Sequence, residues 1–292
     1  MKDYIVRATA EEGKIRVVAA VTTDTVKHAQ KVHNLSPLAS VAMGRTLTAS
    51  ALMSVFLKGD KDTQTIQIKG DGPLGGIVAV SDSKANVRGY VHNPLIYLPL
   101  NDQGKFDVAG AVGKGYLNVV KDMGLKEPYV GYVDLVSGEI GEDVAYYYAY
   151  SEQIPTSVAL GVLASSEKII ESAGGFIIQL MPDAGEETIS FIEERINKLP
   201  SVTGLLKEGK TPEDILDIIF SEKGLKVVEK APCNYKCNCS RQRMYKNIIS
   251  LGKEEIIDIL KKQQGIETQC HFCNMKYQFS DSELKEIIES KN

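Results

Sequence analysis

The sequence predicts an α+β (mixed α/β) chain: an N-terminal core with a mainly antiparallel sheet and a buried helix, then a helical linker, then a small C-terminal unit. Three observations predict it. Short β-rich runs follow one another through Gly-rich turns, which favours antiparallel pairing over a doubly wound parallel sheet. A long apolar stretch over residues 36–57 is interrupted centrally by Arg45 and is rich in Ala, Ser and Thr, which suits a buried helix better than a membrane span. Four of the five cysteines fall near the C-terminus, and none lies in the first 232 residues.

Taken in order, period-two alternation predicts strands near 3–9 and 14–21, and helical patterning predicts helices near 23–33 and 36–57. Ser36 supplies an N-cap and Pro37 a first helical residue for the second of these. Strands follow near 63–69, 76–82, 86–92, 115–121 and 129–135, then a helix over 141–152 and strands near 156–164 and 175–181. The composition changes after Met181. Three short amphipathic helices, broken at Pro200 and Gly209, carry apolar stripes at Ile189, Ile192, Ile196 and Leu199 and at Ile215, Leu216, Ile218 and Ile219, which must pack on the preceding core. Residues 182–232 hold eleven Asp/Glu against seven Lys/Arg, so this segment is acidic. Thr211, Pro212 and Asp214 fit the start of its last helix. Helices near 241–251, 253–262 and 281–289 complete the chain, the last opening on a Ser280-x-x-Glu283 capping box. The expected division is a core over 1–181, a linker over 182–232 and a terminal domain over 233–292.

With 43% hydrophobic and 25% charged residues the chain has ordinary globular composition, and a net charge of −4 with pI near 5.7 offers no basic face for phosphate, so no nucleic-acid partner is expected. The N-terminus lacks a basic region followed by an apolar one, so a cytoplasmic location is expected, with no membrane partner. A reducing compartment disfavours permanent disulfides and turns the cysteines toward metal binding or redox sensing.

Cys237-x-Cys239 and Cys270-x-x-Cys273 carry the strongest chemical signal. Two close thiolate pairs complete a tetrahedral zinc site, which makes the terminal unit a small zinc-binding domain; four unrelated buried thiols would leave the paired spacing unexplained. A domain of this size with a thin apolar core needs such a staple. His271 is a spare donor that four sulfurs make unnecessary, and Cys233 is read as a non-ligand. Lys236, Arg241 and Arg243 flank the first pair, either stabilising thiolates or forming a solvated surface. Gly70-x-Gly72-x-x-Gly75 matches a dinucleotide fingerprint, but a strand rather than a helix follows, so a hairpin turn is expected. His28, His33 and His92 have no ligand spacing, and the run Tyr146, Tyr147, Tyr148 and Tyr150 reads as core packing.

YKCNCS at 235–240, CHFCNMKYQF at 270–279, SEQIPTSV at 151–158, GDGPLGG at 70–76 and GGFIIQLMPDA at 174–184 together resemble the heat shock protein 33 family, redox-regulated bacterial holdase chaperones. Cys233 departs from the pattern. The resemblance implies no enzyme activity, but an ATP-independent chaperone whose reduced, zinc-bound form is inactive. It implies that Cys237, Cys239, Cys270 and Cys273 hold one zinc ion, and that oxidation joins Cys237 to Cys239 and Cys270 to Cys273. Zinc then leaves, the terminal domain and linker destabilise, and the protein, as a homodimer, holds unfolding client proteins. Two other classes remain: a thiol-disulfide oxidoreductase using Cys270 and Cys273, and a constitutive zinc-ribbon binding module.

Overall fold

The structure, a computed structural model, describes residues 2–165, 167, 169–262 and 265–290. It divides into two compact units, Met1–Lys236 and Cys237–Asn292. The first unit runs β1 (Tyr4–Ala10), β2 (Ile15–Val21), α1 (Thr23–His33), α2 (Pro37–Ser54), β3 (Thr63–Gly70), β4 (Ile77–Asp82), β5 (Asn86–Val91), α3 (Val108–Val112), β6 (Gly115–Asp122), β7 (Tyr129–Asp134), α4 (Gly141–Tyr150), β8 (Thr156–Ala164), β9 (Ile170–Leu180), α5 (Glu186–Lys198), α6 (Val202–Lys207), α7 (Pro212–Phe220), β10 (Lys226–Pro232) and β11 (Asn234–Tyr235). The second holds α8 (Arg241–Ser250), α9 (Lys253–Lys262), β12 (Ile266–Gln269), β13 (Lys276–Phe279) and α10 (Asp281–Ser290).

The first unit has two sheets, of order β10-β1-β2-β9-β8 and β11-β5-β4-β3-β6-β7. All pairings are antiparallel except the two-residue β11–β5 contact. Helix α2 is buried along its whole length except at Arg45, because both sheets supply its walls. Ser36 Oγ accepts from the Ala39 amide and Pro37 opens the helix, as the sequence predicts. Small residues let the layers approach: a Cβ on Gly44 would lie 2.8 Å from side-chain atoms of Val26 and Val162. Arg45, too costly to bury unpaired, is neutralised by the Glu139 carboxylate.

Strand alternation divides the apolar residues of β1 and β2 between two cores. Ile5, Val18 and Ala20 face the α2 side, while Val6, Ala8, Ala10, Ile15, Val17 and Ala19 face a second core with Phe176 and Ile178. Helices α5–α7 cover that second face through Ile192, Val202, Leu205, Ile215, Leu216, Ile219 and Phe220. Two members of the predicted stripes turn outward instead, Ile189 at 38% and Ile218 at 41% exposure. Thr211 and Asp214 form the expected reciprocal cap on α7.

The segment read as wholly helical ends in β10, which extends the sheet beside β1, with Tyr4 opposite Pro232. All its residues but Ala231 are exposed, so no alternation betrays it. Next, β11 crosses to the other sheet, where the Lys236 amide donates to Val87 O at 2.8 Å. The Tyr235 hydroxyl donates to Gly89 O at 2.9 Å and meets His33 Nε2 at 3.1 Å, and the His28 ring lies 4.8 Å from the Tyr235 ring. After the Gly70–Gly75 motif comes β4, with Gly75 and Gly76 at φ +74 and +138 in the turn. The tyrosine run splits: Tyr147 and Tyr148 are buried, while Tyr146 and Tyr150 stack on each other outside.

In the second unit the buried apolar core comprises Ile248, Ile256, Phe279, Leu284 and Ile287 among the described residues. Ser280 and Glu283 form the predicted capping box on α10. The β12–β13 hairpin, absent from the sequence reading, joins four residues on each side.

Candidate metal centre

Two loops of the second unit carry the sulfurs. Cys237 and Cys239 lie on the segment entering α8, where the Ser240 hydroxyl accepts from the Arg243 amide at 3.2 Å and fixes the helix start. Cys270 and Cys273 occupy the turn between β12 and β13. There the Cys270 amide donates to Met275 O at 3.0 Å and the Asn274 amide to Cys270 O at 2.8 Å. Asn274 takes a left-handed φ of 56°, which asparagine tolerates better than most residues, so the turn folds back and aims both sulfurs one way.

All four Sγ atoms lie within 4.8 Å of one another, with Cys237 to Cys270 at 3.7 Å and Cys239 to Cys273 at 3.3 Å. Sulfurs placed tetrahedrally at about 2.3 Å from one ion stand about 3.8 Å apart, so the cluster has the size and the all-sulfur donor set of a closed structural zinc site. His271 is not part of this cluster, and Cys233 belongs to the other compact unit, 2% exposed at the end of β10. The flanking arginines are otherwise engaged: Arg241 pairs with Glu283 at 2.8 Å and donates to Gln278 O, while Arg243 donates to Asn238 O.

The four sulfurs are electrostatically unequal. Burial raises the thiols of Cys237, to about 11, and Cys273. Burial also acts upward on Cys239, but hydrogen bonds, first from Tyr277 and then from the other sulfurs, outweigh it and lower its thiol below the ordinary value. The Tyr277 hydroxyl, 3.1 Å from Cys239 Sγ, is itself pushed up to about 12 by that contact. Sequence reading missed Tyr277 as a participant. Its signal was the placement of Tyr277 and Phe279 two apart on a short strand, directing both toward one face.

Cys233 shows the opposite environment. Burial, reinforced by the Asp3 carboxylate, pushes its thiol up to about 12. Asp3 accepts from the amides of Asp24 and Thr25 at 3.0 and 2.5 Å, tying the chain before β1 to the start of α1. With Lys2, Tyr4, His28 and Tyr235 these residues line a cavity of about 590 Å³. No helix among the described residues is long and apolar enough to cross a membrane.

A model of the Hsp33 protein family matches residues 3–280 of the chain. The chain is 64% identical over 289 residues to the 33 kDa chaperonin of Acetivibrio thermocellus, covering 99% of this chain and 98% of that protein. It is 55% identical over 289 residues to the 33 kDa chaperonin of Ruminiclostridium cellulolyticum, covering 99% of each. A crystal structure of the 33 kDa chaperonin from Thermotoga maritima superimposes with a TM-score of 0.93 at 43% identity, covering 100% of this chain and 99% of that one.

Proposed function

The chain belongs to the Hsp33 protein family, a family of chaperones, and on that premise we propose that it is an ATP-independent holdase switched on by oxidation. The observation that carries this reading is four sulfurs within 4.8 Å of one another in a unit whose buried core, among the described residues, has five side chains. In the reduced state Cys237, Cys239, Cys270 and Cys273 would hold one zinc ion, which supplies cross-linking energy and keeps the sulfurs ionised.

Oxidation converts Cys237 with Cys239, and Cys270 with Cys273, to disulfides. Each pair of thiolates gives two electrons to one hydrogen peroxide molecule, forming one S–S bond and two hydroxide ions. The sulfurs then no longer serve as anionic ligands, and the terminal unit, Cys237–Asn292, loses its staple. The linker (182–232) follows, because β10 is an edge strand exposed along nearly its whole length and paired to β1 alone. Release of α5–α7 uncovers the apolar outer face of the sheet next to the 1–181 core, and that surface holds unfolding clients. The working form is a cytoplasmic homodimer with no enzymatic turnover and no nucleic-acid or membrane partner.

The test measures zinc content and suppression of citrate synthase aggregation in one sample before and after peroxide treatment. Chaperone activity that rises as zinc falls is the expected result. Activity independent of zinc, or tight RNA binding indifferent to oxidation, would reject the switch, and insulin reduction by zinc-free protein would favour an oxidoreductase.

A further inference from the structure

Tyr277 sits on β13 opposite Thr268 of β12, its ring against the small core of the second unit and its hydroxyl 3.1 Å from Cys239 Sγ. The ring is held by the same packing that holds Phe279, two residues on, so the hydroxyl is positioned by the fold rather than by the sulfur. An ionised sulfur can only accept, so the hydroxyl donates. A donated hydrogen bond draws density from a thiolate and makes it a poorer nucleophile, and oxidation by a hydroperoxide begins with thiolate attack on the O–O bond.

We propose that Tyr277 is a positioning residue that guards Cys239: its hydroxyl hydrogen bond slows the reaction of this sulfur with hydroperoxides and so sets the oxidant level at which the four-sulfur cluster opens. This rests on the redox-switch reading above. The protected step is the two-electron transfer in which the Cys239 thiolate and a partner thiolate become a disulfide while the peroxide becomes two hydroxide ions. Because Tyr277 packs against that core, loosening of the unit removes the guard and exposes the sulfur in one event. Peroxide and partial unfolding therefore act through the same residue.

The experiment compares reduced, zinc-loaded wild type with Y277F and with F279L, which loosens the same core without touching a sulfur. Zinc release under excess hydrogen peroxide is followed with a chromogenic chelator, and each cysteine is quantified by quenched alkylation and peptide mass spectrometry. For Y277F the expected result is one zinc per chain, release about threefold to tenfold faster, the scale of a partly expressed hydrogen bond to a charged group, and a gain that falls on Cys239 and the sulfur that joins it, ahead of the other two. F279L is expected to speed all four cysteines together. Unchanged release in Y277F, or a gain shared equally by the four, overturns the proposal. Should Y277F fail to hold zinc, 3-fluorotyrosine placed at position 277, a stronger donor, must slow Cys239 oxidation, and no slowing overturns it. Wild type that releases no zinc under peroxide would overturn the switch reading as well, and that failure is visible in the wild-type arm alone.

Discussion

Cys233 and Cys239 are six positions apart and differ in every property that sets thiol reactivity. Cys233 is enclosed at the end of β10, with its thiol pushed up to about 12 by burial and by Asp3, whereas Cys239 is half-exposed and lowered by its hydrogen bonds. A thiol raised from 9.0 to about 12 has its thiolate fraction cut by roughly 10³ below pH 9, since each unit is tenfold. The sign follows: the folded state keeps Cys233 protonated, so its share of stability is intact below pH 9 and is lost as pH rises through about 12. The expected outcome is that a short iodoacetamide pulse at pH 8 labels Cys233 at least about 100-fold more slowly in native protein than in guanidinium, read by peptide mass spectrometry. C233S is expected to keep one zinc per chain. Rapid native labelling would show that Cys233 is not enclosed in the folded protein. At this scale the sequence was informative about which sulfurs come together, because spacing is local: the four paired cysteines cluster and Cys233 belongs to the other unit. It was silent on Tyr277 and Asp3, whose roles depend on neighbours 38 and 22 residues away, Cys239 and Thr25.

Helices other than the short α3 proved legible and late strands did not, for a physical reason. The boundaries of α2, α7 and α10 are encoded by side chains that satisfy the first backbone amides, Ser36, Thr211 with Asp214, and Ser280 with Glu283. By contrast β10 has almost no buried side chain, and its ladder is supplied by β1, more than two hundred residues earlier. The outward Ile189 and Ile218 show the limit of stripe reading: a short helix on a sheet buries a narrower arc than its apolar residues span. Leu216 is the decisive contact of α7, fully buried in the core shared with the five-stranded sheet. L216A is expected to cost about 2–5 kcal/mol, borne mostly by the attachment of α5–α7. Reduced, zinc-loaded L216A should bind an apolar dye and suppress aggregation without oxidant, with faster amide exchange in α5–α7 and unchanged exchange in β3–β6. Equal exchange in wild type and variant would show that α7 does not secure the linker.

At the scale of the whole molecule the two units differ in how much apolar core they carry. Met1–Lys236 carries two extended apolar cores, one around α2 and one beneath α5–α7. Among its described residues Cys237–Asn292 has a buried core of five side chains and a hairpin of two four-residue strands, little burial to set against the chain entropy of so short a segment. Sequence length and cysteine placement made that asymmetry visible in advance, whereas the strand order β10-β1-β2-β9-β8 could not be read, since it joins segments from both ends of the first unit. Metal removal is therefore expected to act on one unit. With a thiol reductant present to prevent disulfides, a high-affinity zinc chelator should abolish amide protection across α8–α10 and the β12–β13 hairpin, and open Arg241, Arg243 and Lys246 to trypsin. Protection in α2 and β2 should stay at its starting level. Restoring zinc should restore protection, because the binding energy is the folding energy of this unit. Protection retained in β12 and β13 after chelation would show that five apolar side chains suffice, and the cysteines would then have to act on the linker by some route other than the loss of a fold.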